Sequence, residues 1–214
     1  TEIYTLSLHD ALPICLKSLP VQPDSVITLI RSTCLPDYVQ SGGAMEPASQ
    51  RFMSIGMKLM LLSIHEKASL LEKSDFGKEL SWPELQTLAG YFSVWEVPAA
   101  VCLCRQGEQS DFAFLLFKGR VRILKEDASK VAKEIASVGP GHIVGEMALI
   151  DKEPRSASVM VKSPLLIMVI EESKFEEMSE TVPRLWGKVL LGLAKILSKR
   201  LRQTSGVLAE YISG

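Results

Sequence analysis

The sequence predicts an α+β fold that is mainly β: an eight-stranded antiparallel jelly-roll barrel with N-terminal helices and a long C-terminal helix. Helical patterns with capping signals fill residues 57–90. Short apolar runs then recur at roughly ten-residue spacing from Val94 to Ile170. After Phe175 the helical period returns and continues almost to the end of the chain.

Composition sets the class of protein. The chain has 214 residues, of which 47% are hydrophobic, enough for one globular domain with a core. Its net charge of −1 gives no basic excess for nucleic acid, which we therefore do not expect as a direct partner. The sequence has no apolar run of about 18 residues, so no membrane span is predicted. We expect a cytoplasmic protein.

The four cysteines do not predict a disulfide framework, because they are few for a chain of this length. Cys102 and Cys104 lie in the run "VCLC" and are predicted to be strand residues on one face. A metal site is the alternative, but no second Cys or His pair stands at ligand spacing. We expect no metal and no cofactor.

The chain divides into four predicted segments. Residues 1–14 resemble translated sequencing-adapter DNA, and we expect them to be non-native, although they could also pass as a weak signal peptide. Residues 15–56 are expected to be a disordered or non-native leader, with Met45 as a plausible true start. Residues 57–180 are predicted to form the helical entry and the barrel, and residues 181–214 the C-terminal amphipathic helix.

Composition, capping residues and a glycine predict the boundaries of the helical entry. Met57–Glu72 is rich in Leu, Met, Lys and Glu and predicts one helix or two short ones. Ser81 is a good N-cap, Pro83 suits an early helical position, and Glu84 completes a capping box. Gly90 is predicted to end this second helix.

The barrel is predicted from alternation and turn residues. The run "GRVRIL" alternates polar and apolar side chains, as in a strand with one buried face. Gly107, Gly119, the "GPG" at 139–141 and Pro164 separate the runs as turns do.

The C-terminal stripe predicts an interface. Seven positions step by three and four along a long helix and make one mainly apolar face: Leu190, Leu193, Leu197, Leu201, Thr204, Leu208 and Tyr211. Such a helix is too long to cover only one small barrel, so we expect a homodimer formed through it. The alternative is that the stripe packs on its own barrel.

Enzyme classes that use this architecture are not supported. A metal-dependent enzyme needs several His and carboxylate ligands, whereas His142 is the one histidine of the barrel segment and is predicted to be a loop residue. No convincing Ser/His/Asp order and no nucleotide-hydrolase phosphate loop occur in the sequence. We expect a protein that is not an enzyme.

One stretch, "GEMALIDKEPRSASV" at 145–159, has the chemistry of a binding site. Gly145 permits a left-handed backbone or a close approach, and the helical turn after it exposes N–H groups that favour an anion. Arg155 can make two parallel hydrogen bonds to a phosphate, and Glu146 can accept hydrogen bonds from a hydroxyl. The pair fits a sugar phosphate. The alternative is a Glu146–Arg155 salt bridge on the barrel rim.

This stretch resembles the phosphate-binding cassette of the cyclic nucleotide-binding domain family. The family pattern is roughly Phe-Gly-Glu-aliphatic-Ala-Leu, a short gap, then Pro-Arg-(Ser/Ala/Thr)-Ala. The positions that fit are Gly145, Glu146, Met147, Ala148, Leu149, Pro154, Arg155, Ser156 and Ala157. Val144 replaces the usual aromatic residue, and Ala99–Ala100 stand where the family often has Gly. The resemblance covers about residues 70–205.

The resemblance implies a role for each matching residue. Glu146 would bind the ribose 2′-hydroxyl and Arg155 would neutralise the cyclic phosphate. Ser156, Ala157 and the N–H groups of Met147 and Ala148 would complete the phosphate cradle, with Gly145 opening the backbone. The segment "RLRQTS" is similar to the long helix of catabolite-activator members of the family, in which a Thr–Ser pair contacts adenine. Thr204 and Ser205 match that pair, or are simply two small polar residues late in the helix.

The function implied is a cyclic-nucleotide sensor that changes conformation and acts on an unidentified protein effector. We expect cAMP as the ligand and leave cGMP open, since cGMP-preferring members often carry Thr at the position of Ser156. The tail offers no recognition helix with basic flanks, so we expect a stand-alone sensor. The alternatives are an interaction module that binds no ligand and a fragment of a larger cyclic-nucleotide-regulated transcription factor or enzyme.

Overall fold

The computed structural model describes residues 48–213, so the expectations for residues 1–47 lie outside the described part. The elements, in chain order, are α1 (Ala48–Ser54), β1 (Lys58–Met60), α2 (Ile64–Glu72), α3 (Trp82–Ala89), β2 (Ser93–Val97), β3 (Cys102–Cys104), β4 (Phe112–Glu126), β5 (Ala132–Val138), β6 (Ile143–Val144), α4 (Glu146–Asp151), β7 (Ser158–Glu171), α5 (Glu172–Thr181) and α6 (Pro183–Ser213). Helices at both ends of the described part therefore enclose a β region, as predicted.

The strands form one antiparallel sheet. Its path runs β1-β2-β7-β4-β5, with β3 also paired to β7 and β6 to β4. The jelly-roll class is confirmed, but the described residues hold seven strands and not eight. Apolar runs that the sequence separates at Gly119 and Pro164 belong to the long strands β4 and β7, which continue through register shifts and so bend without ending.

Strand β1 corrects the prediction of helix over the whole of Met57–Glu72. It adds to the edge of the sheet, with Leu59 opposite Trp95 of β2. Helix α2 begins only after Ser63, whose side chain accepts from the N–H of Glu66 while the Glu66 carboxylate accepts from the N–H of Ser63. This capping box fixes the start of the helix, so the residues before it are free to pair as a strand.

Helix α1 brings part of the expected leader into the fold. Residues 48–56 belong to the segment predicted to be a disordered or non-native leader, yet Phe52 is fully buried. Its ring packs edge-on against Trp95 at 5.2 Å and against Phe112 at 4.8 Å between centroids. Such aromatic pairs stabilise beyond their buried area, and they anchor a helix too short to show periodicity in the sequence.

Both faces of the sheet are covered. In β4, Phe112, Phe114 and Leu116 face an inner core that also contains Phe52 and Trp95. The alternate residues of the same strand face a second core built with the helices. This second core reaches α4, α5 and α6, so the site segment and the C-terminal helices share one packed layer.

The two cysteines of β3 do not lie on one face as predicted. A register shift between them places Cys104 in the inner core and Cys102 in a separate small cluster. Burial raises the pKa of the Cys104 thiol. In the described part of the chain, no group of three or more His, Cys, Asp and Glu side chains could hold a metal ion.

The last two predicted helices are confirmed. The second entry helix has Ser81 as N-cap, the Glu84 capping box and Gly90 as C-cap. The C-terminal helix α6 has 31 residues. Its first half buries Leu185, Val189 and Leu193. Within residues 48–213, no helix is both long enough and apolar enough to cross a membrane.

Candidate functional site

The site segment begins where β6 ends. Gly145 has φ of +85° and caps helix α4, and a Cβ at this position would collide with Nη1 of Arg155. The predicted need for glycine here is confirmed, for both the left-handed backbone and the close approach. Helix α4 ends at Asp151. Its C-cap is Lys152, which is left-handed at φ 56° and stands two residues before Pro154.

Arg155 lies in the loop before β7. Its N–H donates to the carbonyl of Glu108 at 2.9 Å, and its carbonyl accepts from the N–H of Gly107 at 2.8 Å. The 107–108 turn therefore fixes the backbone of the arginine, and the strand pairing starts only at Ser158.

The guanidinium of Arg155 is turned into the protein and is 5% exposed. Nη1 donates to the carbonyl of Gly145 at 3.1 Å, and Nη2 donates to Ser110 Oγ at 2.7 Å and to the carbonyl of Phe112. Its central carbon stands 4.8 Å from the centre of the Phe112 ring, a cation–π contact.

The Nε–H donor of Arg155 differs from its Nη donors in having no partner in the described structure. Its Nε is buried and has no hydrogen-bond partner among residues 48–213. A buried donor without a partner is costly, and within the described part of the chain the hydrogen-bond partners of the Arg155 guanidinium are all uncharged. Both needs would be met by one anion with two acceptor oxygens.

Glu146, the first residue of α4, is 2% exposed. Its Oε1 pairs with Nη1 of Arg200 on α6, and Nη2 of Arg200 donates to the carbonyl of Ile143 at 2.6 Å. The alternative of a Glu146–Arg155 salt bridge is thus not what the structure shows: the carboxylate is paired with Arg200.

The other predicted residues surround this centre to different extents. Ala148 is buried and Ala157 half-buried, whereas Met147 and Ser156 are exposed beside them. The structure does not bury Thr204 or Ser205 against the cassette: both are exposed on α6, one turn beyond Arg200. The hydroxyl of Thr204 donates to the carbonyl of Arg200 at 3.0 Å.

Two participants were missed by the sequence reasoning. Arg200 stands four residues before Thr204, so it lies on the same face of the helix, and that spacing was a usable signal. Ser110, which accepts from Arg155, lies in a loop 45 residues away and carries no such signal. His142 lies just before β6, is exposed, and has Nδ1 3.0 Å from the carbonyl of Pro140.

Known proteins resemble this chain in sequence and in fold. The model of the family described as "Cyclic nucleotide-binding domain" matches residues 94–182. A crystal structure of a cyclic nucleotide-binding domain from Methylobacillus flagellatus is 26% identical, with a TM-score of 0.68, and the match covers 78% of this chain and 96% of that one.

Two curated relatives match over shorter shares of their length. The Pycsar effector protein XpPycTIR of Xanthomonas perforans is 29% identical over 116 residues, which are 54% of this chain and 37% of that protein. The cAMP-activated global transcriptional regulator CRP of Salmonella typhimurium is 25% identical over 130 residues, 60% of each. The matches thus span less than two thirds of these relatives.

Proposed function

We propose, from the premise that residues 94–182 belong to the cyclic nucleotide-binding domain family, that this chain is a cyclic-nucleotide sensor. The proposed ligand is cAMP, with cGMP left open. The proposed action is regulatory and not catalytic: ligand binding changes the conformation of the chain, which then acts on an effector protein in the cytoplasm.

The observation that carries the proposal is the position of the buried Arg155: its guanidinium lies against the left-handed Gly145, and its Nε donor has no partner among the described residues. A cyclic phosphate has one negative charge and two exocyclic oxygens, and it would satisfy this donor and neutralise the guanidinium together. Gly145 leaves room beside Nη1, and the N–H groups of Met147 and Ala148, in the first turn of α4, would add donors. Ser156 and Ala157 would complete the cradle.

The sugar would be held by Glu146. Its carboxylate is an acceptor only, so it suits a ribose hydroxyl. In the described structure Arg200 already occupies one of its oxygens, so a ribose must either share this carboxylate or displace the arginine. Thr204 and Ser205, one turn further along α6, are the proposed contacts for the base.

This arrangement offers a route from ligand to helix. Arg200 joins the Glu146 carboxylate to the α6 helix and also contacts the carbonyl of Ile143 before the cassette. A ligand that changes the charge or the position of the Glu146 carboxylate therefore changes the contacts that hold the second half of α6. Such a ligand would bind with different affinity to a chain whose α6 is held by Arg200 and to one whose α6 is released.

The second half of α6 is the proposed interface with a second copy of the chain. Leu201, Leu208 and Ile212 are 68%, 56% and 75% exposed on it. Exposed leucine and isoleucine repeating along one helix are typical of a helix–helix interface.

Titration calorimetry on the full chain tests the proposal. We expect one binding event with cAMP, and a loss of affinity of about a hundredfold in Arg155→Met, because a charge-assisted contact worth about 1.5–3 kcal/mol is removed. The control is Arg184→Met, which removes an exposed arginine from α6 and should bind as the unmodified chain does. No heat and no competition at millimolar cAMP or cGMP would refute the sensor function.

A further inference from the structure

Helix α1 reaches the surroundings of Arg155 through a buried ion pair. Arg51 donates from Nη2 to Oδ1 of Asp111, and the two side chains are 10% and 12% exposed. Asp111 stands between Ser110 and Phe112 in the chain, the two residues that accept from Nη2 of Arg155. The short segment 110–112 therefore contacts Arg51 through Asp111 and contacts Arg155 through Ser110 and Phe112.

A second contact follows the same path. Phe52, the neighbour of Arg51, packs edge-on against the Phe112 ring at 4.8 Å. The Arg155 guanidinium lies 4.8 Å from that same ring. The Phe112 side chain thus contacts α1 and the arginine of the candidate site together, so a displacement of α1 would reach Arg155 by packing as well as by charge.

The charges around Asp111 explain why its carboxylate needs the guanidinium of Arg51. Glu171 pairs with Phe112 across strands β4 and β7, next to Asp111, and its pKa is raised by burial and by the charge of Asp111. The backbone carbonyl of Asp111 accepts from the N–H of Glu172 at 2.6 Å, which fixes the segment to the start of α5. Without Arg51, Asp111 would be a buried carboxylate beside a second acid, a costly arrangement that favours movement of its side chain.

We propose that α1 is part of the ligand site and that Arg51 is a positioning residue for the phosphate. Through Asp111 it fixes residues 110–112 where Ser110 Oγ and the Phe112 carbonyl hold Nη2 of Arg155, so that Nε remains free for the ligand. This inference rests on the proposed function, since the phosphate is the ligand group concerned.

The test is a double-mutant cycle on cAMP affinity in the full chain. Arg51→Met is expected to weaken cAMP binding by about tenfold in the unmodified background and to have almost no effect in the Arg155→Lys background, because its effect passes through Arg155. Arg51→Lys, which keeps a cation near Asp111, should recover part of the loss. Arg184→Met is the matched exposed control.

A structural role alone would give different results. Arg51→Met combined with Asp111→Asn removes both charges, so the double variant should regain thermal stability while its cAMP affinity stays low. Equal losses from Arg51→Met in both Arg155 backgrounds, or recovery of affinity together with stability in the double variant, would overturn the positioning role.

A ligand-free measurement separates the two proposals. Hydrogen–deuterium exchange of the peptide that spans residues 110–112 should increase in Arg51→Met relative to the unmodified chain and to Arg184→Met. Increased exchange in a chain that binds no cyclic nucleotide would refute the sensor function and leave the link from α1 to this segment standing. Unchanged exchange would refute the link itself.

Discussion

Replacing Arg200 by Met tests the contact between the long helix and the cassette. The substitution keeps much of the apolar length of the side chain and removes the cation. It leaves Glu146, 2% exposed, without its ionic partner, and the carbonyl of Ile143 without its donor. We expect a loss of folding stability together with release of the second half of α6.

The expected magnitude follows from burial. Removing one partner of a fully buried pair costs about 3–5 kcal/mol. The Arg200 side chain is 38% exposed, so water screens part of the interaction, and we expect a loss of about 1–3 kcal/mol. For a domain of this size, a loss of about 2 kcal/mol lowers Tm by roughly 4–8 °C.

The assay is urea unfolding, with hydrogen exchange read along residues 198–210. The matched control is Lys195→Met on the same helix, whose partner Glu79 is exposed, so its loss should stay below about 1 kcal/mol. If Arg200→Met changes stability no more than this control and leaves exchange unaltered, the reasoning that Arg200 fixes the helix to the cassette is refuted.

Three further predictions concern pH and assembly. The pKa of Glu171 is raised by burial and by a neighbouring carboxylate, so the free energy of unfolding falls as the pH rises from the ordinary pKa near 4.5 through the raised pKa. Glu171→Gln should therefore raise the free energy of unfolding at pH 7 and leave it unchanged below pH about 4. Equal effects of the substitution at both pH values would contradict this. Lys188 is the main cause that lowers the pKa of Glu84 to about 2. In Lys188→Met, NMR titration should show a Glu84 pKa that is higher but still below 4.5, because the capping-box hydrogen bonds remain. An unchanged Glu84 pKa would exclude Lys188 as the cause. Leu201→Glu with Leu208→Glu should yield monomers in sedimentation, and an unaltered profile would count against the helix interface.

The parts that sequence predicted well depend on local signals. Capping boxes, period-two runs and turn glycines act over a few residues, and they gave the order of helices and strands. The cassette from Gly145 to Ala157 is likewise one continuous stretch, so the sequence alone predicts it without knowledge of tertiary contacts.

The parts that were missed join distant segments. Arg200 meets Glu146 across 54 residues, and Arg51 meets Asp111 across 60. Residue types do not say which of several arginines reaches a given carboxylate, because that depends on how the helices pack. Helix α1 has seven residues, too few for a periodic signal, and its place is set by the burial of Phe52.

The central claim is that the buried Nε–H of Arg155, which has no partner in the described structure, binds the cyclic phosphate. The NMR signal of this group gives the most direct test. On addition of cAMP to the full chain, we predict that this resonance shifts saturably and exchanges more slowly with water, because the donor gains an anionic acceptor. The Arg184 resonance should not respond. An Arg155 Nε–H signal that keeps its position and its exchange rate at saturating cAMP would contradict the account.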